Sequence, residues 1–306
     1  MQRRHKTLVE ANRWYRRLLS LAAWAFPDVW IAFRGSRATA TAVLERWPHL
    51  HQLSRARLSS IADVVAANTK GVSDTRRRAE QIRQAARGWA EFWEGHLDLD
   101  ALGWETAELL ADVADAQARL DRAQAVCVTR WESLWGDDPL LLSLPGMGPR
   151  TAPVVRGFFG DATQFPTSKQ AQAYVGLNPS NWSSGQTTQP SRAITKEGPE
   201  ELRLAFYLAA NAARTIDPQL AWFYRKLMVE RGHCHTQATC AVARKLVART
   251  WATLTSGSPY ELRDLEGKPI TRRAARELAR SLAVPDHVRR RSRARSAATK
   301  RGRLTR

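Results

Sequence analysis

From Leu99 to Trp135 the chain reads "LDALGWETAELLADVADAQARLDRAQAVCVTRWESLW", with no proline and a single glycine, Gly103. Proline and glycine are the strongest local breakers of regular structure, so so long a stretch nearly without them commits the chain to one continuous helix. Leu102, Leu109, Ala116 and Ala123 recur every seven positions, and Val113, Leu120, Cys127 and Leu134 form a second seam. That is about four heptads of a coiled-coil pattern, softened by its alanines. Two readings stand for it. The seam pairs with another helix, within the chain or between chains, which would make the protein a homo-oligomer through the 99–135 helix; or it is an amphipathic helix packed inside its own domain.

The rest of the chain also reads as helix. Residues 2–25 space Leu8, Trp14, Leu18, Leu19 and Ala22 on one face, and Pro27 follows the stop. Shorter helices are predicted around 38–47 and 56–67. A stronger one begins near Ser73, with Arg76, Arg77, Arg78, Arg83 and Arg87 facing either phosphates or solvent. Further helices are predicted from a Thr167 or Ser168 cap to Leu177, and near 199–215, 218–231 and 236–255. Asp217-Pro218 supplies a cap and a first-turn proline, and Gly232 a stop. No long stretch alternates as a sheet would, although a short hairpin fits within 182–195. The expected fold is mainly α: a coiled-coil-like helical region over 1–137, an α domain with a helix-hairpin-helix element over 138–255, and a disordered basic tail over 256–306.

Composition bears on partners. At 306 residues the chain is long enough for roughly two domains. Lysine and arginine number 48 against 29 acids, a net charge of +19. A protein this basic binds polyanions by releasing their counterions, so nucleic acid is the leading partner. Arg289, Arg290, Arg291, Arg293, Arg295, Lys300, Arg301, Arg303 and Arg306 form a block without an acid, the pattern of a nucleic-acid arm. No apolar run approaches the ~20 residues that span a bilayer and no signal peptide is visible, so no membrane is expected. Cys127, Cys234 and Cys240 make no disulfide framework. A reducing, cytoplasmic location follows as the expectation.

Few side-chain sets suggest chemistry. His233, Cys234, His235 and Cys240 do not have the spacing of zinc fingers or ribbons. The carboxylate pairs Asp137/Asp138 and Asp112/Asp115 lie at a helix boundary and on a charged helix, where a two-metal site is not normally built. No metal site is therefore expected. "DPLLLSLPGMGPRTAPVVRGFF", 138–159, joins two short helices through Gly146 and Gly148. It resembles a helix-hairpin-helix, whose glycine turn aims backbone amides at a phosphate, with Arg150 adding charge. A plain buried turn is the other reading.

The remaining candidate is "GLNPSNWSSGQTTQPSRAITKEG", 176–198. Ser, Gly, Asn and Pro are ordinary turn residues. They also suit a presented nucleophile: Ser184-Gly185 offers an exposed hydroxyl and room for a phosphodiester backbone. Arg192, Lys196 and Arg203 could hold the phosphate.

The ordered runs "LLSLPGMGP", "FPTSKQAQAYVGLNP", "SSG", "ITKEG", "LRLAFYLAANAA" and "AVARKLVARTWATL" resemble the C-terminal domain of the DEDD, or Piv-like, bacterial insertion-sequence transposases, from about Leu141 to Leu254. Residues 1–135 resemble that family's middle helical region more loosely. The resemblance implies a DNA transposition or site-specific recombination enzyme in which Ser184, with Ser183 as the alternative, joins covalently to DNA. It also implies DNA and a guide (bridge) RNA as partners. The family's ribonuclease-H-like domain, whose four acids bind magnesium, has no counterpart in these residues. The expectation is thus a shortened chain without a cofactor of its own, magnesium entering only with such a domain. A non-catalytic helix-hairpin-helix remnant or regulator, or a DNA-repair accessory, are the alternatives.

Overall fold

The computed structural model describes residues 2–33, 36–69, 74–179, 183–184, 187–188 and 194–304, with backbone alone at 183–184, 187–188 and 296–304. It comprises two compact units, Gln2–Ala123 and Gln124–Arg306. The division lies inside the long helix.

The N-terminal unit contains α1 (Gln2–Ala25), α2 (Pro27–Ala32), α3 (Arg37–Arg46), α4 (Leu50–Arg55), α5 (Leu58–Ala67), α6 (Thr75–Trp93) and the first part of α7 (Leu99–Trp135). Ser36 and Asp74 cap α3 and α6 with their side chains. Asp98 accepts hydrogen bonds at 3.0 Å from the amides of Asp100 and Ala101, starting α7. Leu18, Phe26, Phe33, Leu44, Leu53, Ile61 and Ile82 fill the core. Two polar side chains of α6 finish α1 and α2 beside it. Arg78 is buried and donates to the carbonyls of Ala32 and Phe33, while Trp93 donates its indole N–H to Ala25 O at 2.7 Å. Orphan carbonyls at helix ends need such donors. Arg78 therefore leaves the basic face predicted for this helix, whereas Arg76, Arg77 and Arg87 remain exposed.

The heptad seam of α7 divides. Leu102, Leu109, Val113 and Ala116 are buried in the N-terminal unit, and Arg119 reaches Glu10 of α1 at 3.7 Å. This part of the helix packs within its own chain. Leu120, Ala123 and Cys127 are half-buried, and Leu134 is 75% exposed. The stripe thus has no uniform burial along its length.

The C-terminal unit continues with α8 (Pro139–Ser143), α9 (Ala152–Phe159), α10 (Ser168–Val175), a two-stranded hairpin of β1 (Ser183–Ser184) and β2 (Thr187–Thr188), α11 (Glu200–Ala213), α12 (Pro218–Val229), α13 (His235–Ser256), α14 (Arg272–Ser281) and α15 (Asp286–Leu304). Helix α13 is the hub, touching α8, α10, α11, α12 and α15. Its buried Val242, Leu246 and Val247 share a core with Phe159, Leu202, Phe206 and Leu220. Two ion pairs built on buried carboxylates lock this unit. Asp138 caps α8 and binds Arg156 of α9 at 2.5 and 2.7 Å, with the indole of Trp131 donating at 3.0 Å. Asp217 caps α12, accepts from Arg249 of α13 at 2.6 Å and from the Tyr260 hydroxyl at 2.7 Å.

The disordered tail expected over 256–306 is corrected by the structure. An isolated bridge pairs Arg263 with Pro269, and α14 and α15 follow. The net charge of the segment hid a sparse apolar pattern. Ala275 and Ala279 are buried one turn apart, and Val284 and Val288 repeat the spacing and join the core of the unit. Ser292 accepts the amide of His235 at 3.0 Å, and Arg295 donates to Gly232 O at 2.9 Å, so α15 is stitched to the start of α13. Among the described residues no helix is long and apolar enough to cross a membrane.

Candidate nucleic-acid interface

The loop that carries Ser184 is built from its ends inward. Thr167 caps α10, and Gly176 closes it in the left-handed conformation, φ +70°. The two legs then run antiparallel: Thr195 N–H donates to Asn178 O at 2.9 Å, Lys196 N–H to Gly176 O at 3.1 Å, and Pro179 bridges Ile194. Gly198 lies flat against α10, where a Cβ would collide with the carbonyl of Tyr174. Arg203, in the first turns of α11, donates to Gly198 O at 2.9 Å and fixes the returning leg. Lys196 is exposed and holds a left-handed backbone, φ +59°, which costs a non-glycine residue. Beyond this base Ser183 pairs with Thr188 and Ser184 with Thr187. Ser184 therefore occupies the last paired position before a two-residue connection. Arg192 lies outside the described residues.

The second predicted element, the turn after α8, is packed from behind. Gly146 has φ +84°, and a Cβ there would strike the carbonyl oxygen of Ala209 on α11. Its glycine answers a close approach between helices. The Gly148 amide donates to Thr151 Oγ1 at 3.1 Å, and the Met147 and Thr151 amides bond within the turn. Gly148 itself is open, with no atom among the described residues within 4 Å of a Cβ placed there, and Arg150 is exposed beside it. Both this turn and the serine loop rest on α11, at Ala209 and Arg203, about 9 Å apart along its axis.

On α15, Arg289, Arg290 and Arg291 are all exposed, on the side away from buried Val288 and Ser292. Sequence reasoning missed a further basic and aromatic groove. A cavity of about 460 Å³ is lined by Trp222 and Phe223 of α12, Lys245 and Arg249 of α13, Gln219 and Leu265. A neighbour of about 340 Å³ adds Arg244 and Gln172. Lys226 Nζ lies 4.9 Å from the Trp222 ring centre and Lys245 Nζ 4.4 Å from that of Phe223. The signal was the Lys245/Arg249 spacing of four beside the exposed aromatics of α12.

Of the histidine and cysteine set near 233–240, His235 is held by a structural bond, while His233 Nδ1 is buried without a hydrogen bond. His235 Nδ1 meets the Tyr224 hydroxyl at 2.7 Å, burial and then Arg214 hold its pKa below the usual value, and burial raises the thiol of Cys240. Asp138, one of the carboxylates considered for a metal, is consumed by Arg156. Among the described residues the group whose ligand atoms do converge is in the other unit: His49, His51 and Asp100.

With this geometry in place, the relatives can be named. Residues 138–225, inside the helical C-terminal unit, match the model of a transposase family. The matching family is the one described as Transposase IS116/IS110/IS902. Over 125 residues the chain is 38% identical to an "Insertion element IS110 uncharacterized 43.6 kDa protein" of Streptomyces coelicolor, covering 41% of this chain and 30% of that protein. It is 28% identical over 124 residues to the "Pilin gene-inverting protein" of Moraxella lacunata, covering 40% and 38% respectively. It is 33% identical over 123 residues to the "Transposase for insertion sequence element IS1111A" of Coxiella burnetii, covering 39% and 33%. The aligned part thus spans about a third of each of these relatives.

Proposed function

We propose that the chain takes part in DNA transposition or site-specific recombination, with Ser184 as the nucleophile. The observation that carries this reading is the position of Ser184 at the tip of a hairpin whose two legs are fixed by Gly176, Gly198 and Arg203. Attack on a bulky phosphodiester requires a serine that the DNA backbone can approach closely, and a position beside a two-residue hairpin connection suits that requirement. In the step, Ser184 Oγ loses its proton and bonds to phosphorus. One phosphoester bond to a deoxyribose oxygen breaks, and that oxygen leaves as a hydroxyl once protonated. Ester replaces ester, so the strand can be rejoined without an outside energy source. Lys196 and the half-buried Arg203 stand at the base of the loop, where they add positive charge along the path of a DNA backbone.

DNA is the substrate in this reading. The exposed arginines of α15, Arg150 at the open turn, and the groove of Lys245 and Trp222 give it a basic surface. A guide RNA is a second polyanion for the same surfaces. Self-association through the exposed part of the 99–135 helix, at Leu134, completes the proposal; Leu134→Asp should leave monomers in sedimentation, and an unchanged mass would remove that part.

The test is to incubate the chain with element-end DNA and magnesium, adding a relative's acidic nuclease-like domain. The covalent adduct is then mapped by mass spectrometry. The expected adduct is on Ser184, lost in Ser184→Ala with DNA binding intact, and retained in Ser183→Ala. An adduct on Ser183 reassigns the nucleophile. DNA binding without any adduct favours the non-catalytic binding reading, which the surface arginines of α15 also support.

A further inference from the structure

The N-terminal unit holds a site that transposition chemistry does not use. His49, at the start of α4, and His51, in its first turn, both turn Nδ1 toward Asp100 in the first turn of α7. The three ligand atoms lie within 4.8 Å of one another. His49 Nδ1 is 3.6 Å and His51 Nδ1 3.9 Å from Asp100 Oδ1. Both separations exceed a hydrogen bond, whose N–O limit is about 3.2 Å. They are a few tenths of an ångström wider than the ~3.3 Å that separates neighbouring ligands around a tetrahedral zinc ion with bonds near 2.0 Å.

Two independent observations point into this space. His49 Nδ1 is buried and makes no hydrogen bond, a condition seldom left standing in a native fold. The one glycine of the long helix, Gly103, sits where any Cβ would collide with the His49 imidazole. Glycine inside a helix costs stability relative to alanine, and here it gives the ring its place beside Asp100. The other end of the site is equally set, because Asp98 holds the amide of Asp100 at 3.0 Å.

We propose that His49, His51 and Asp100 bind a zinc-class divalent ion, tying the connection between α3 and α4 to the first turn of α7. Two imidazoles and one carboxylate suit zinc, cobalt or nickel, whereas magnesium and calcium take oxygen ligands. Asp100 is 83% exposed, so the ion keeps water in its remaining positions and the site exchanges readily.

Untagged full-length chain titrated with Co²⁺ should take up one equivalent, with the visible absorption of a low-coordinate nitrogen–oxygen site, and Zn²⁺ should displace it. The melting temperature of the N-terminal unit should rise with the metal. Asp100→Asn and His51→Ala, both at accessible positions, should each weaken uptake on the order of tenfold or more. Gly103→Ala should lose uptake while helix content by circular dichroism stays intact, because it displaces His49. Cys234→Ser/Cys240→Ser should bind as the parent does. Undiminished uptake in Asp100→Asn and His51→Ala, loss of uptake in the cysteine variant, or no uptake by the parent would each overturn the proposal.

Discussion

Two of the glycine-bearing connections between helices of the C-terminal unit are held in opposite ways. The turn at 144–151 is stapled by side chains: beneath it Asp138 and Arg156 join α8 to α9 inside the core, and Gly146 is wedged against α11. The loop at 176–198 is held at its base by backbone hydrogen bonds and glycine contacts, with Arg203 as its side-chain tie. The first connection uses its own amides and lies mostly in the fold. The second pairs its two legs backbone to backbone at 178–179 with 194–195. Side-chain ties fix the first connection within the core, whereas backbone bonds fix the base of the second.

Removing the staple should have the largest effect. Asp138→Ala leaves Arg156 buried without its partner, and urea denaturation should show a loss of about 3–5 kcal/mol in the C-terminal unit. The staple also sets a pH dependence. Burial works to raise the Asp138 pKa, but hydrogen bonds from Arg156, Trp131 and the Leu141 amide outweigh it and hold the carboxyl below its ordinary value. A depressed carboxylate contributes stability above its unfolded pKa, near 4, and that contribution is lost as pH falls through the folded value. Acid melts should therefore flatten in Asp138→Asn below about pH 4; an unaltered slope would remove Asp138 from the acid response.

The two glycines of the first turn should then separate. Gly146→Ala meets both a positive φ and the Ala209 carbonyl, and should cost about 2–3 kcal/mol. Gly148→Ala meets open space and should stay within about 1 kcal/mol. Equal effects would mean that the turn is not pressed against α11. At the second connection, Gly198→Ala should cost about 1–2 kcal/mol and accelerate hydrogen exchange at the Thr195 and Lys196 amides while α8 and α9 stay protected. The smallest change is a gain: Lys196→Gly relieves the left-handed backbone, and the melting temperature should rise by an amount equivalent to less than about 1 kcal/mol.

Much of this was legible in the residues. Thr167, Asp217-Pro218 and Gly232 marked helix ends because caps and stops act locally. The 99–135 run marked one helix because nothing in it breaks one. Helix α4 was missed, being too short at Leu50–Arg55 to show a period. The tail was misread because two alanines and two valines at helical spacing were judged against a block of arginines, and burial depends on the face, not on the sum. The serine loop was legible as a place but not as a mechanism. Its base is set by Gly198 meeting Tyr174 and Arg203 meeting Gly198, contacts between segments more than twenty residues apart or across a helix start. The convergence of His49 with Asp100 was invisible for the same reason.

The packing of α15 has a thermodynamic consequence. Val288 and Ser292, which seat this helix on the body, alternate with the arginines that face outward. A polyanion gripping Arg289, Arg290 and Arg291 therefore binds a surface that exists only while the C-terminal unit is folded around it. Ligation and folding become one linked equilibrium: DNA should raise the unit's melting temperature in proportion to its occupancy, and salt should lower both together. Cutting the helix away would open the core, so charge reversal on its outer face is the change that separates grip from scaffold.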